Sequence, residues 1–474
     1  MTPDSVPGAL LAAGAEIRAA AQGDAVDGVL PRYVACPADL DEASAVLRAA
    51  AADGLATVPR GAGTRLAWGS PPTRCDLVID TRRMNRVLEH AAGDLVVRVQ
   101  AGAGLDQLAA VLAEAGQRLA LDPPPASRAA GNASGSGNGS GAGNGSGPGT
   151  VGGMLATGAA GPLRFRYGTP RDLLIGITVV RADGTVASSG GKVVKNVAGY
   201  DLGKLFTGSY GTLGLIGEAA FRLHPLPGAA AFVTVDRPDA ASAHAAIAAA
   251  TESPLTPSAA EIDRPARTGP VRVGILLEGD QDGVAERAAR MTKLLDGGTP
   301  VAVSPAPPGW WGRGAAAADG TVLRIGFWAT ALARVIGAVD AAAAAVGLDP
   351  AVSGSAAAGV IYAAVDGHAD PAAVSEFVRT LRAALADDPQ VSAPAAGSSG
   401  PVSGSAGFYS PAEAPALTAG PVAPASVVIQ HAPAAVRATV DLWGPVPALG
   451  LMRAVKDQFD PEHLMAPGRF VGGI

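Results

Sequence analysis

Apolar residues return along the first third of the chain with two different periods. In Leu40 to Gly54 (LDEASAVLRAAAADG) they recur every three or four positions behind an acidic first turn, which predicts an amphipathic helix closed by Gly54. LATVPRG follows as a strand running into a glycine loop, VPRGAGTRL at 58–66, and CDLVIDT and GDLVVRVQAG read as two further strands. GLDQLAAVLAEAG sets Leu105, Leu108 and Leu112 on one helical face, and QRLALDPPP reads as a strand halted by prolines. Helices and strands in alternation predict an α/β first subdomain. From Thr150 to Pro225 apolar strands are interrupted by glycine-rich turns: TVGGMLATGAAGPLRFRYG, RDLLIGITVVRADGTV and GGKVVKNVAGYDLGKLFTGSYGTLGLIGEAAFRLHP. Glycine is needed where backbone passes closely against a ligand or turns with positive φ, and N–H groups freed in such turns bind anions. The stretch therefore predicts a cradle for a large phosphate-bearing cofactor.

Residues 228–440 show a second pattern. Strand-like VRVGILLEG, TVLRIGFWA, AGVIYAAV and ASVVIQHA alternate with helix-like DGVAERAARMTKLLDGG, ALARVIGAVDAAAAAVG and DPAAVSEFVRTLRAAL, which predicts an α+β cap over one antiparallel sheet. From 441 a helix with Leu451, Val455 and Phe459 stacked leads into a proline-punctuated tail. Residues 1–32 read as an N-terminal helical extension. Residues 126–149, ASRAAGNASGSGNGSGAGNGSGPG, have the composition of a flexible linker and read as an insertion bulging into solvent with its ends packed. Within it GPGTVG matches the G-x-G-x-x-G fingerprint, but no strand precedes it, so a Rossmann site is not expected.

Composition narrows the function. Thirty-six basic and 42 acidic residues give a net charge of −6, with no basic run to meet a nucleic-acid backbone. No 18-residue uninterrupted apolar stretch is present, and Asp4 with no Lys or Arg before Arg18 lacks the basic start of a secretory signal, so a cytoplasmic protein is expected, peripheral to the inner face of a membrane at most. Two cysteines, Cys36 and Cys75, are too few for an iron–sulfur cluster or a Cys₄ zinc site, which leaves any such cluster to another chain.

In order and spacing the two glycine loops resemble the PCMH-type FAD-binding domain of the vanillyl-alcohol oxidase superfamily, and within it the D-2-hydroxyacid oxidase and dehydrogenase branch. GGKVVKNVAGYDLGKLFTGSYGTLG and the tail FDPEHLMAPGRFVGGI are similar to the smaller flavin subunits of glycolate oxidases, which work beside a larger flavin subunit and an iron–sulfur subunit. The resemblance covers about residues 33–227 and 440–474. It implies an α+β architecture: a two-subdomain flavin domain over 33–227, a cap over 228–440 with an antiparallel sheet, and a segment over 441–474 that returns to the flavin domain. It also implies FAD contacts at Arg60, Gly61, Ala62, Gly63, Thr64, Arg65, Asp122, Pro123, Thr150, Gly152, Gly153, Thr157, Gly158, Gly161, Gly211, Gly214 and Ile216. The first loop carries Thr64 and Arg65 where some relatives carry a flavin-linking histidine, so the FAD is expected to be held without a covalent bond.

Cations surround the second block: Lys192, Lys195, Lys204, Arg164, Arg166 and Arg171. One beside the flavin would stabilise its reduced anion, with Lys195 in KNVAGYD the first choice, and one arginine could hold a substrate carboxylate. Asn196, Tyr200 and Asp201 are expected to lock that loop. Larger catalytic relatives carry an H-x-G-D-G-N-x-H motif in the cap. The six histidines here form no such pair and no metal site, leaving His368 and His431 as candidates for a base. Two readings follow: an FAD-bearing subunit of a glycolate oxidase type complex that oxidises glycolate to glyoxylate, or a self-sufficient FAD-dependent dehydrogenase of a small 2-hydroxyacid or alcohol.

Overall fold

The computed structural model describes residues 6–124, 149–191, 201–313, 319–386 and 425–474. Its first sheet holds β1 (Glu16–Ala19), β2 (Tyr33–Cys36), β3 (Thr57–Arg60) and β4 (Leu77–Asp80) in the order β1-β2-β4-β3, with β2 and β3 parallel to β4 and β1 antiparallel to β2. The predicted helix forms as α2 (Leu40–Ala52): the Asp39 carboxylate accepts from the Glu42 N–H, and Ala43, Val46, Leu47 and Ala50 pack on the sheet. The N-terminus departs from the helical extension expected for 1–32. Among the described residues of this stretch the α-helix is confined to α1 (Gly8–Leu11), with Pro7 before it and Gly14 turning at φ +82° after it; β1 then adds an edge strand and Gln22–Asp24 forms a single 3-10 turn.

The second sheet is antiparallel throughout and contains β5 (Val87–Ala91), β6 (Val96–Gln100), β8 (Leu174–Val180), β9 (Val186–Gly190) and β10 (Leu215–Arg222), ordered β5-β6-β10-β8-β9. Two short strands, β7 (Gln117–Arg118) and β11 (His224–Pro225), pair beside it. The helix α3 (Leu105–Glu114) buries Leu108 and Leu112 as its spacing requires, with Leu105 at the margin. TVGGMLATG, expected as a glycine-rich turn, is instead α4 (Val151–Thr157). The Thr150 hydroxyl caps the Gly153 N–H, Gly158 closes the helix at φ +63°, and Met154 and Leu155 supply a buried face.

The cap is one eight-stranded antiparallel sheet made of β12 (Ala229–Arg237), β13 (Ala259–Arg264), β14 (Val271–Gly279), β15 (Val301–Ser304), β16 (Thr321–Gly326), β17 (Ala351–Ser355), β18 (Val360–Val365) and β19 (Ser426–His431). Their order is β15-β12-β14-β13-β17-β18-β16-β19. One face is covered by the helices Ala240–Glu252, Gln281–Leu295, Leu332–Ala345 and Pro371–Ala386, which enclose the largest apolar cluster of the described residues. The cap docks on the flavin-side sheets through Arg118, which donates to both Glu278 carboxylate oxygens at 2.7 and 2.9 Å and to Tyr167 Oη at 3.0 Å.

The final helix, Leu449–Phe459, turns Val455 and Phe459 onto the second sheet but leaves Leu451 68 % exposed, so the expected three-residue stripe is really two. The tail then returns to the start of the chain: Thr57 N–H donates to Leu464 O at 2.8 Å and Ala466 N–H to Thr57 O at 2.7 Å. Lys456, fully buried, holds it there, its Nζ donating to Asp460 at 2.6 Å, Thr212 O at 2.7 Å and Met465 O at 2.9 Å. No helix among the described residues is long and apolar enough to cross a membrane.

Candidate functional site

β3 ends at a loop with two positions, Gly61 and Gly63, that resist a side chain. A Cβ on Gly61 would come 2.1 Å from Thr150 Oγ1, and Gly63 sits at φ +75°. The N–H groups of Gly61, Ala62, Gly63 and Thr64 meet no acceptor among the described residues, an arrangement suited to an anion. Together with Thr150, Gly153, Ala156 and Thr157 of the facing helix, and with Tyr210 and Arg469, this loop lines a cleft of about 490 Å³. Arg469 is 3 % exposed; its Nη2 donates to Leu66 O and Trp68 O at 2.8 and 2.9 Å, while its Nη1 has no partner among the described residues. Burial lowers its affinity for the proton below that of an ordinary guanidinium, so an incoming negative charge is favoured. Tyr210 holds φ +56° to reach the cleft, packed between Trp443 and Phe470 with ring centroids 5.4 and 5.7 Å away. Four free backbone donors, a buried guanidinium with an unused donor and the Thr64 hydroxyl form a donor set that fits the pyrophosphate of FAD, while the Thr157 hydroxyl is already spent on Gly153 O at 2.8 Å.

The donors differ in part from those expected. Arg60 lines the cleft, but its guanidinium is held by Asp80 at 2.9 Å and Asp24 at 3.1 Å, both buried, so its charge is already matched. Asp24 is held far below the usual carboxylate range, chiefly by Arg18. The first N–H groups of α4 are also committed: Val151 donates to Ala103 O at 3.0 Å and Gly152 to Ala101 O at 2.7 Å, so the helix start offers no anion site and Gly152 serves close packing on Ala101. Gly158 caps the same helix. Gly211 rests on Pro59 at φ +78°, Gly214 on Val180 O, and Ile216 is buried in the second sheet's core, which puts these three behind the cleft rather than in it. Arg65 donates to Pro124 O at 2.9 Å and stacks over Trp68. A Cβ on Gly149 would lie 2.8 Å from Arg65 Nη1, so Pro124 and Gly149, on either side of the Gly/Ser tract, meet at one side chain.

Asp122, Pro123 and Gly161 sit one step away, at the junction with the cap. The Asp122 carboxylate accepts from Leu163 N–H at 3.1 Å and is pushed up to about 7 by burial, and a Cβ on Gly161 would strike Asp122 O. Arg164 faces that junction, Arg166 donates to Thr256 O at 3.3 Å, Arg171 is exposed, and Lys204 pairs with Asp201 at 3.3 Å. His368 lies in an exposed turn after β18, and His431 Nδ1 contacts Gly320 O at 2.9 Å on the edge strand; neither lines the cleft. Lys192, Lys195, Asn196, Tyr200 and most of the Gly/Ser tract lie outside the described residues. Sequence reasoning missed Arg469 and Tyr210. The signal available was the tail motif APGRF, which the resemblance returned to the flavin domain without assigning its arginine a role.

The family model for an FAD binding domain matches residues 31–147 and 136–190, two segments that overlap within the Gly/Ser tract. The chain is 36 % identical over 199 residues to the glycolate oxidase subunit GlcD of Bacillus subtilis strain 168, covering 42 % of this chain and 38 % of that one. It is 33 % identical over 178 residues to the glycolate oxidase subunit GlcE of Escherichia coli strain K12, covering 38 % and 45 %. The matched stretches thus span less than half of either relative. Among solved structures it is similar to an alkyldihydroxyacetonephosphate synthase with a TM-score of 0.63 at 17 % identity, over 93 % of this chain and 78 % of that one. The chain thus carries an FAD-binding domain of PCMH type with an α+β cap, and its cofactor is FAD.

Proposed function

We propose that the chain is an FAD-binding oxidoreductase subunit of a glycolate oxidase type assembly, acting on the CH–OH group of a 2-hydroxyacid and taking glycolate to glyoxylate. The observation that carries this reading is the cleft at residues 59–66, where four free N–H groups of the matched FAD binding domain meet the unused donor of Arg469 from beyond the matched residues. Bound FAD supplies a two-electron acceptor. The chain's residues hold it: the glycine loop and Arg469 neutralise the pyrophosphate, and Gly61 lets that loop press against Thr150. Thr64 stands where a covalent link would need histidine, so the cofactor dissociates.

Likeness to both GlcD and GlcE supports membership of an assembly with a larger flavin subunit and an iron–sulfur subunit at the cytoplasmic side of a membrane. Cys36 and Cys75 are free thiols on this chain, which leaves the cluster to a partner. The second reading, a self-sufficient dehydrogenase, is favoured by a small pocket between the flavin domain and the cap, mostly apolar but with Arg164, Glu261 and Tyr362 in its lining. One experiment separates them. The chain purified alone is expected to hold stoichiometric FAD yet reduce an artificial dye with glycolate or D-lactate slowly, and co-expression with the two partner subunits is expected to restore turnover. Full turnover by the chain alone selects the second reading; protein without flavin refutes both.

A further inference from the structure

Strand alternation gives the cap sheet two different faces. Ala260, Ile262, Val352, Ile361 and Ala363 point to the covering helices. Glu261, Ser353, Ser355 and Tyr362 therefore point the other way, toward the flavin domain, and the register sets them side by side: Ile262 pairs with Gly354 and Ser353 with Tyr362. They meet the short helix Arg164–Tyr167 and the chain around Gly161, which packs on Asp122. Nearby the junction is apolar, with Phe232, Ala259 and Leu276 packed on Leu163. Two carboxyls from separate domains thus share one apolar seam, Asp122 from the flavin side and the buried Glu261 from the cap.

The charges facing this pair are committed elsewhere or too weak to ionise both. On the flavin side Arg164 donates through Nε to Gly161 O at 3.0 Å and reaches Tyr362 Oη through Nη2 at 3.4 Å, Arg166 donates to Thr256 O at 3.3 Å, and Arg118 and Tyr167 are taken up by Glu278. On the cap side the Ser355 hydroxyl bonds Glu261, and Asp263, next on the same face, pairs with Arg272 at 3.0 Å. Burial pushes Glu261 up to about 8, and the Asp122 charge adds to this, against the opposite pull of Ser355 and Arg164; burial likewise takes Asp122 up to about 7. The space that Glu261 lines is about 20 Å³, room for roughly one water, so a second carboxylate ionised there stays unhydrated. The strain has a route to the cofactor. A Cβ on Gly161 would strike Asp122 O, which leaves Asp122 no slack; two prolines stiffen the chain after it, and Pro124 O accepts at 2.9 Å from Nη2 of Arg65, a buried side chain of the flavin cleft.

We propose that a proton held by the Asp122–Glu261 pair latches the cap onto the flavin domain, and that its loss loosens the junction and, through Pro124 and Arg65, the grip on FAD. With the cap seated, the pair keeps protons that separated, hydrated carboxyls release near 3.8 and 4.5. The latch is therefore strongest in acid and weakens as pH rises, the opening equilibrium growing up to about tenfold per carboxyl and pH unit until each group ionises in place, Asp122 near 7 and Glu261 near 8. The rate at which free-flavin fluorescence appears after dilution of the FAD-loaded full chain reads that opening. Between pH 7 and pH 8.5 the unaltered protein should release FAD about fivefold faster or more, and the rate should level off above about pH 9. Glu261→Gln should hold the change within about twofold, because Asp122 is by then mostly ionised, while Asp263→Asn, on the same face but paired with Arg272, should keep the full rise. Equal rates at pH 7 and pH 8.5, a rise that continues undiminished past pH 9, or the same rise in Glu261→Gln overturns the latch. The first two outcomes need only the unaltered protein, so they decide even where a variant does not fold.

Discussion

Replacing Lys456 with Met tests how the tail is held. Lys456 and Asp460 are both fully buried, 2.6 Å apart, and the Lys456 ammonium also satisfies Thr212 O and Met465 O. Burial alone lowers the Lys456 pKa, so three close acceptors are needed to keep the charge inside. Methionine fills the space but removes the cation, leaving the Asp460 carboxylate with only the Leu464 and Met465 N–H groups, at 3.0 and 2.7 Å. Removing one partner of a buried pair costs roughly 3–5 kcal/mol. The exposed contact between His463 and Asp457, 2.9 Å long on the same segment, is the control, because surface pairs contribute about 0–1 kcal/mol. Urea denaturation should therefore show Lys456→Met about 3 kcal/mol or more less stable and Asp457→Asn within about 1 kcal/mol of the parent. FAD fluorescence should report weakened cofactor binding in the first variant alone, since the detached tail takes Arg469 with it. A Lys456→Met protein as stable as Asp457→Asn would refute the reasoning.

Other substitutions divide the site by role. Arg60→Met leaves Asp24 to Arg18 and Asp80 to Arg82, so in the same denaturation assay it should cost about 1.5 kcal/mol, less than Lys456→Met. Arg469→Met removes the unused donor and should weaken FAD binding about 10- to 100-fold in a fluorescence titration, at the strength of one or two charge-assisted bonds. Because folded Glu261 keeps its proton up to about 8 while its unfolded counterpart releases it near 4.5, the parent should lose stability as pH rises across that window. Asp122, pushed up to about 7, adds to the loss, and Arg164 and Tyr362 face the same pocket without reversing it. Glu261→Gln should flatten the slope by on the order of 1 kcal/mol per pH unit in melts from pH 5 to pH 8. Acid precipitation should leave the yellow colour in the supernatant; flavin on the pellet would show a covalent bond.

Where the sequence carried a strict period, the fold was legible: Val46, Leu47 and Ala50 of α2 and the buried face of α3 stand as their spacing requires. The helix α4 was not, because Gly152 and Gly153 lower local propensity and its stability comes from a cap at Thr150 and from contacts to Ala101 that are remote in sequence. The glycine loop at 61–63 was reached through the resemblance, and its N–H groups are free among the described residues. Arg60 lines the cleft beside it, but nothing local says that its charge belongs to Asp24 and Asp80. Glu261 was invisible for a related reason: AAEIDR is too short to reveal which face each residue takes, and only the pairing with β17 brings the serines to it.

The bond from Arg469 to Leu66 closes a loop of 403 residues, and this bears on how the protein is made. At roughly 5–20 residues per second, a ribosome emits Arg469 about 20–80 seconds after the glycine loop. During that interval the first two sheets have time to fold, but their cleft lacks its buried cation and the β-bridge from Thr57 to Met465. Cofactor capture on this reading waits for the segment around Arg469 to emerge. A polypeptide stopped before that segment would be a folded but colourless intermediate, and the appearance of bound flavin would mark its arrival at the cleft.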